Sequence, residues 1–284
     1  TSIIFTELIT TNSFSFKYFY ERRVRRILPV LIFISLVSIP FAWICLSPIA
    51  FVDFSKSILY SLGFTSNLYF HFSGQEYAAL NAFYKPFLHT WSLSVEEQYY
   101  ILFPILFFIT FKYIKNYLIT ILSIGLVISL LLADYGSKNF LSLNFYILPT
   151  RMWELIMGSL ISYFEINNRI PKNNKIINLI FPSIGILLIG CSAIFFDHGV
   201  RHPSFYTLIP ILGVAFIICF PNKDEFINKV LSSKIFVGVG LLSYSLYLWH
   251  YPIFAFGRIT EITSGDIVKK IFLGLIILIL SIFT

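Results

Sequence analysis

One run of the sequence places a histidine, several hydroxyl side chains and two adjacent carboxylates directly before an apolar stretch. It reads His89-Thr90-Trp91-Ser92-Leu93-Ser94-Val95-Glu96-Glu97-Gln98-Tyr99-Tyr100. Adjacent residues on a helix are rotated by about 100°, so Glu96 and Glu97 cannot share one face. Helical spacing would let one of them orient His89 as a general base. The alternative is an interfacial helix start, with Thr90 or Ser92 as the N-cap.

A tract of arginines suggests a different chemistry. It precedes an apolar run and consists of Arg22, Arg23, Arg25 and Arg26. Guanidinium groups make planar, bidentate contacts with phosphate oxygens, so the tract predicts binding of a diphosphate-bearing compound such as coenzyme A. The alternative is that the tract anchors a helix at anionic lipid headgroups.

An arginine and a glutamate occur within a later apolar run. Arg151 and Glu154 are three positions apart and therefore share one face of a helix. Ionised side chains in a bilayer are costly unless they pair or have a function, so the two residues are candidates for a reaction site. A structural ion pair is the alternative.

An aromatic stripe lies near the end of the chain. Tyr244, Tyr247 and Tyr251 recur at three- and four-residue spacing, and His250 lies beside them. Tyr247 and His250 are therefore candidates for lining a ligand site. An aromatic belt at the membrane interface is the alternative.

The composition shows that membrane helices must position these residues. Of 284 residues, 57% are hydrophobic and only 12% are charged, and the mean hydropathy is +0.80. A soluble domain carries about twice that share of charge, so a soluble, disordered or nucleic-acid-binding protein is excluded. The net charge of +7 arises from short basic tracts between apolar runs, a pattern that sets membrane topology.

Eight apolar runs approach the length of about 20 residues that a spanning helix needs. They cover residues 27–46, 91–111, 117–133, 148–164, 176–196, 205–220, 235–256 and 268–283. Residues 54–71 contain too many polar side chains for a span and are predicted to form a re-entrant or interfacial segment. We therefore predict an all-α, polytopic transmembrane helical bundle that forms a single domain over residues 1–284.

The basic residues indicate the orientation of this bundle. If the arginine tract is cytoplasmic and residues 54–71 do not span, most Lys and Arg residues fall on the cytoplasmic side. Residues 89–97, 149–154 and 250–252 then lie near the outer face.

Several kinds of site have no support in the sequence. Cys45, Cys191 and Cys219 are far apart and the histidines lack the spacing of ligands on one helix, so no metal site is predicted. The sequence has no Walker loop, no serine-hydrolase elbow and no zinc-protease motif. These absences argue against an ATP-driven pump and against a zinc protease.

Four blocks of the chain, taken in order, resemble the acyltransferase 3 family. These integral-membrane enzymes O-acetylate lipopolysaccharide O-antigens, peptidoglycan and related glycans of bacterial envelopes. The blocks are residues 19–29, 88–100, 150–158 and 243–252. The resemblance implies about ten spanning helices in the complete family domain, of which about eight and the re-entrant segment are present here.

The resemblance also implies an activity. It predicts an O-acetyltransferase in the bacterial inner membrane that moves an acetyl group from cytoplasmic acetyl-CoA to a sugar hydroxyl outside, with no permanently bound cofactor. The predicted partners are acetyl-CoA, an envelope polysaccharide or lipid-linked sugar, the lipid bilayer and a fused SGNH-type domain beyond the C-terminus. A membrane carrier or flippase that moves a lipid-linked sugar or acyl group without bond chemistry is the alternative.

The same resemblance assigns roles to individual residues. The family's Trp-x-Leu-x-x-Glu pattern falls on Trp91, Leu93 and Glu96, which favours Glu96 over Glu97 as the inward carboxylate. The predicted catalytic residues are Glu96, His89, Arg151 and Glu154. The predicted substrate-binding residues are Arg22, Arg23, Arg25, Arg26, Trp91, Glu97, Tyr247 and His250.

The ends of the chain depart from the family pattern. Family members begin with a helix that carries a histidine thought to be catalytic, and this chain starts after that helix. We therefore expect a family domain that is truncated at its N-terminus and near its C-terminus, and we expect residues 1–284 alone to be inactive.

Overall fold

The structure, a computed structural model, describes residues 2–11, 13–74, 80–167, 169–170, 175–197, 199–220, 226–262 and 266–284. Every regular element in these ranges is a helix, which confirms the predicted all-α class. The α-helices are α1 (Ser2–Thr11), α2 (Phe16–Cys45), α3 (Pro48–Leu62), α4 (Ser66–Phe72), α5 (Thr90–Tyr113), α6 (Leu118–Asn139), α7 (Leu141–Tyr146), α8 (Leu148–Ile166), α9 (Lys175–Phe195), α10 (Leu208–Cys219), α11 (Phe226–Leu231), α12 (Lys234–Ile259) and α13 (Ile267–Phe283). Short 3-10 helices cover Leu80–Tyr84, Lys115–Tyr117 and Phe205–Thr207.

Three helical segments of the described chain are long and apolar enough to cross a membrane. They are Phe16–Cys45, Lys115–Asn139 and Ile176–Phe195. All eight predicted runs fall on helices, but α10 has only 12 residues and is about 18 Å long, which is too short for a hydrocarbon layer of about 30 Å. The predicted span over 205–220 is therefore corrected, and the spans predicted over 91–111, 148–164, 235–256 and 268–283 stay predictions. Ser204 caps a separate 3-10 turn there, so the α-helix begins only at Leu208.

The polar segment 54–71 lies on two short helices, α3 and α4, in agreement with the prediction that it does not span. Its hydroxyl groups find partners on α5, where Ser61 Oγ lies 2.7 Å from Thr90 Oγ1 and Ser66 Oγ lies 2.8 Å from Ser94 Oγ. These hydrogen bonds satisfy polar groups that would be costly in contact with lipid.

The chain divides into two compact units, each built from separate stretches of sequence. The first unit comprises Thr1–Ser15 and Tyr99–Phe236, and the second unit comprises Phe16–Gln98 and Val237–Thr284. The predicted single domain over residues 1–284 stays a prediction.

Small residues and one hydroxyl group organise helix packing in the first unit. A Cβ atom built on Gly185 of α9 would lie 2.6 Å from the carbonyl oxygen of Gly213 on α10, so the two backbones are in close contact. Between α6 and α8, Ser129 Oγ donates to the Pro149 carbonyl (2.5 Å) and accepts from the Trp153 backbone N–H (3.0 Å). These contacts fix the start of α8 against the middle of α6.

The second unit has a hydrophobic core in which α2 and α12 run parallel to each other. Three contacts in sequence order show this direction. Tyr244 Oη donates to the Ile27 carbonyl (2.9 Å), the rings of Phe33 and Trp249 are 6.2 Å apart, and the rings of Phe41 and Phe256 are also 6.2 Å apart. The N-termini of both helices therefore lie on the same side, as the distribution of basic residues predicts.

Candidate functional site

A cavity of about 330 Å³ in the second unit brings together residues that are far apart in the sequence. Its lining comes from the first 3-10 helix, the turn before α5, the first residues of α5 and the second half of α12. The lining residues are Phe83, His89, Trp91, Ser92, Tyr247, His250, Tyr251, Phe254 and Arg258. Four predicted site residues, His89, Trp91, Tyr247 and His250, are therefore neighbours.

Backbone hydrogen bonds hold His89 in the turn that leads into α5. The Thr90 N–H donates to the Phe87 carbonyl (3.1 Å), and the Thr90 hydroxyl donates to the same oxygen (2.7 Å). From α12, Tyr247 Oη donates to the His89 carbonyl (2.5 Å), and Ser92 Oγ lies 2.9 Å from the Tyr247 oxygen. The position of His89 is thus fixed by both its own turn and the facing helix.

The His89 ring is buried among other rings of the cavity. It stacks on Tyr251 with centroids 5.2 Å apart, and the His250 ring lies 5.5 Å away. Both His89 ring nitrogens are buried, and apart from the nearby Pro86 carbonyl neither has a hydrogen-bond partner among the described residues. A buried polar atom without a partner costs about 1–3 kcal/mol, so this arrangement suits a ring that acts on a ligand.

Each imidazole of the cavity can offer an unprotonated ring nitrogen to a ligand. Burial, and to a smaller extent the neighbouring His250, hold the pKa of His89 well below its usual value, while the Pro86 carbonyl opposes this shift. His89 is therefore neutral at pH 7. In His250, Nδ1 lies 2.6 Å from the Tyr247 carbonyl oxygen, which can only accept, so Nδ1 carries the hydrogen and Nε2 keeps a lone pair.

Sequence reasoning did not name five members of the lining as site residues; they are Phe83, Ser92, Tyr251, Phe254 and Arg258. Arg258 lies in the last turn of α12, its Nη1 donates to the Phe83 carbonyl (3.1 Å), and its guanidinium carbon is 5.1 Å from the centre of the Phe83 ring. The signal for Arg258 was present, because the aromatic stripe of α12 continues from Tyr251 to Phe254 and Arg258 at the same helical spacing.

The arginine tract does not converge on one point. Arg23 pairs with Glu97 (Nη1 to Oε1, 3.1 Å), and Arg25 pairs with Glu21 on its own helix (2.7 Å). The side chains of the other two arginines, Arg22 and Arg26, are exposed. None of the four lines the cavity.

The structure reverses the expected orientation of the two adjacent glutamates. Glu97 is buried, with 6% of its surface exposed, whereas Glu96 is exposed. The preference for Glu96 as the inward carboxylate was therefore wrong, because the face of α5 that meets Arg23 of α2 is the face that carries Glu97. A catalytic role for Glu96 stays a prediction.

The predicted contact between His89 and a glutamate is also absent from the described residues. His89 lies in the turn before α5, so helical spacing from His89 to Glu96 or Glu97 does not apply. Its ring contacts the aromatic side chains of α12 instead.

Arg151 and Glu154 form the predicted ion pair on α8, in the first unit. Their Nη1 and Oε1 atoms are 3.3 Å apart, and the Arg151 guanidinium carbon lies 4.8 Å from the centre of the Phe145 ring. Both residues are partly buried, and their catalytic roles stay predictions. Among the described residues, no group of three or more His, Cys, Asp or Glu side chains could hold a metal ion.

Comparison with known proteins identifies the family. The family model described as "Acyltransferase domain", acyltransferase 3, matches residues 4–284. The chain is 26% identical over 285 residues to the peptidoglycan O-acetyltransferase OatA of Listeria monocytogenes, covering 95% of this chain and 45% of that protein. It is 33% identical over 237 residues to a Haemophilus influenzae protein of uncharacterised activity, covering 79% of this chain and 94% of that protein.

The matched proteins differ in how much of their own length the chain covers. The chain spans about half the length of the Listeria relative. No solved structure matches the chain. The match to an acyltransferase family favours an enzyme over a membrane carrier or flippase. Because the family model covers all of the chain from residue 4 onward, the chain belongs to the acyltransferase 3 family and is a membrane-embedded acyltransferase domain.

Proposed function

We propose that this protein transfers an acetyl group from acetyl-CoA, bound on the cytoplasmic side of a bacterial inner membrane, to a sugar hydroxyl of an extracytoplasmic glycan. The glycan is a lipopolysaccharide O-antigen, peptidoglycan or a similar envelope polymer. In the reaction the thioester C–S bond breaks, a C–O ester bond forms, and the proton of the hydroxyl ends on the coenzyme A thiol.

The observation that carries this proposal is the buried His89 ring in a cavity that also contains His250. At most one of its nitrogens faces the Pro86 carbonyl, and the other has no partner among the described residues. A neutral imidazole in such a position can take the proton from an acceptor hydroxyl as the acyl group arrives. His250, whose Nε2 keeps a lone pair, is the second group able to receive that proton.

The arrangement of α2 and α12 supports a route between the two faces. Tyr244 contacts Ile27, directly after the arginine tract, and His250 follows six residues later, about 9 Å further along the helix. The arginine tract of α2, which suits the phosphates of acetyl-CoA, and the histidine cavity beside α12 therefore lie at successive levels of this parallel helix pair. The name of the Listeria relative, a peptidoglycan O-acetyltransferase, supports an acetyl donor and a glycan acceptor.

Replacing His89 tests this function. We expect His89→Gln to lower the rate of acetyl transfer by about 100-fold or more, because general-base catalysis contributes about 10²–10⁴-fold. The measurement is the transfer of labelled acetyl groups from acetyl-CoA to envelope glycan by the full-length protein in membrane vesicles.

His71→Gln is the matched control, because His71 lies on α4 beside the Phe72 ring and does not line the cavity. The control should retain the wild-type rate. Full activity of His89→Gln would remove His89 from the mechanism. A wild-type protein that moves no acetyl group from acetyl-CoA to any glycan would overturn the proposed function itself.

A further inference from the structure

Contacts with Phe83 hold the Arg258 side chain in place but engage only some of its hydrogen-bond donors. Within the described part of the chain, one of its five N–H donors is bonded, to the Phe83 carbonyl (3.1 Å), and the guanidinium group rests on the Phe83 ring. Arg258 is half-buried and lines the same cavity as His89 and His250. Its orientation is thus fixed while donors remain for a ligand.

The cavity has an unbalanced charge. Among the described residues that line it, Arg258 is the one permanent cation, and none is an Asp or a Glu. No carboxylate of the described residues pairs with the Arg258 guanidinium group, whereas Arg23, Arg25 and Arg151 each pair with a glutamate. A guanidinium group in such a place is a site for a planar anion.

We propose that the acceptor glycan carries an anionic group, a carboxylate or a phosphate, and that Arg258 binds this group while the hydroxyl to be acetylated lies at His89 and His250. The inference rests on the proposed function and extends it by naming the class of acceptor. The rings of Phe83, Trp91 and Tyr251 supply apolar surface for the sugar between these two points.

The spacing fits a short segment of glycan. His250 and Arg258 are eight residues apart on α12, which corresponds to about 12 Å along the helix axis. Long side chains on a helix point toward its N-terminus, so the guanidinium group reaches back toward His250. The anion therefore lies on the acetylated sugar or on the sugar next to it.

The test measures acetyl transfer from acetyl-CoA to matched soluble acceptors by the full-length protein in membrane vesicles. The acceptors are a neutral disaccharide, the corresponding uronic-acid disaccharide and the corresponding sugar phosphate. We expect Arg258→Gln to raise the KM of an acidic acceptor about tenfold or more, because one charge-assisted contact is lost. The KM of the neutral acceptor and the KM of acetyl-CoA should not change. Arg258→Lys should recover part of the loss.

Arg201→Gln is the control, since Arg201 is exposed and does not line the cavity. A KM effect restricted to the uronic acid identifies a carboxylate, and one restricted to the sugar phosphate identifies a phosphate. An equal loss with neutral and acidic acceptors would overturn the inference and leave Arg258 with a structural role. A raised KM for acetyl-CoA would instead assign Arg258 to the donor. In these two cases acetyl transfer itself persists, so the proposed function stands.

Discussion

At the scale of the residue, burial distinguishes two adjacent glutamates. Glu97 and Glu96 are adjacent, but Glu97 is buried and pairs with an arginine from another helix, whereas Glu96 is exposed. Arg23 also lies over the Phe19 ring, with its guanidinium carbon 5.1 Å from the ring centre. The pair Arg23–Glu97 therefore joins α2 to α5 and holds one arginine of the tract in place.

This difference predicts unequal effects of the same substitution. Glu97→Gln should lower the free energy of unfolding by about 1–3 kcal/mol, because it leaves the Arg23 charge without its partner in a partly buried site. Glu96→Gln should change it by less than about 1 kcal/mol, since exposed charges contribute little. Thermal unfolding of the full-length protein in detergent micelles measures both.

A double substitution separates the ion pair from other effects of Glu97. If the pair is responsible, Arg23→Gln combined with Glu97→Gln should cost less than the sum of the two single substitutions. Equal losses for Glu96→Gln and Glu97→Gln would contradict the assignment of Glu97 as the inward carboxylate.

At the scale of the element, glycines allow α9 and α10 to approach closely. Gly185 and Gly213 face each other, and a Cβ atom on either one would lie 2.6–2.7 Å from the carbonyl oxygen of the other. Small residues at such crossings are typical of membrane helices, because packing rather than hydrophobic burial holds these helices together.

Gly185→Ala tests this crossing. The added methyl group meets backbone atoms that cannot rotate away, so the helices must separate and the free energy of unfolding should fall by about 1–3 kcal/mol. Gly190→Ala, on the same helix, is the control, because a Cβ atom there meets nothing within 4 Å. Thermal unfolding in detergent micelles should show a loss for Gly185→Ala alone. Equal midpoints for the two variants would show that the crossing is not a close contact in the protein.

At the scale of the whole molecule, the parallel direction of α2 and α12 sets where the cavity faces. The C-terminal ends of both helices lie on one side of the second unit, and Arg258 is in the last turn of α12. Since the N-terminal arginine tract is predicted to be cytoplasmic, this side is predicted to be the outer one.

Single cysteines test this topology after the three native cysteines have been replaced. We expect a membrane-impermeant maleimide to label Ile49→Cys and Thr260→Cys in intact cells, and to label Lys17→Cys only after permeabilisation. Both outer positions follow the C-terminal ends of α2 and α12 and are exposed. Labelling of Thr260→Cys and Ile49→Cys from opposite sides would refute the parallel arrangement.

The sequence by itself determined the class of the protein and most of its helices. A membrane-spanning helix makes all its backbone hydrogen bonds internally, so the length of an apolar run indicates where such a helix lies. Polar content likewise predicted that residues 54–71 do not span. The shared face of Arg151 and Glu154 follows from local spacing, and the structure contains that pair.

Only the tertiary structure decided which groups meet. Glu97 rather than Glu96 faces inward because α2 presents Arg23 to that side of α5, and no property of either glutamate reveals this. Phe83 and Arg258 join the cavity because the 3-10 helix packs against the end of α12, a contact between residues 175 positions apart. Local sequence sets the conformation of each helix, whereas the juxtaposition of distant side chains depends on how the helices pack.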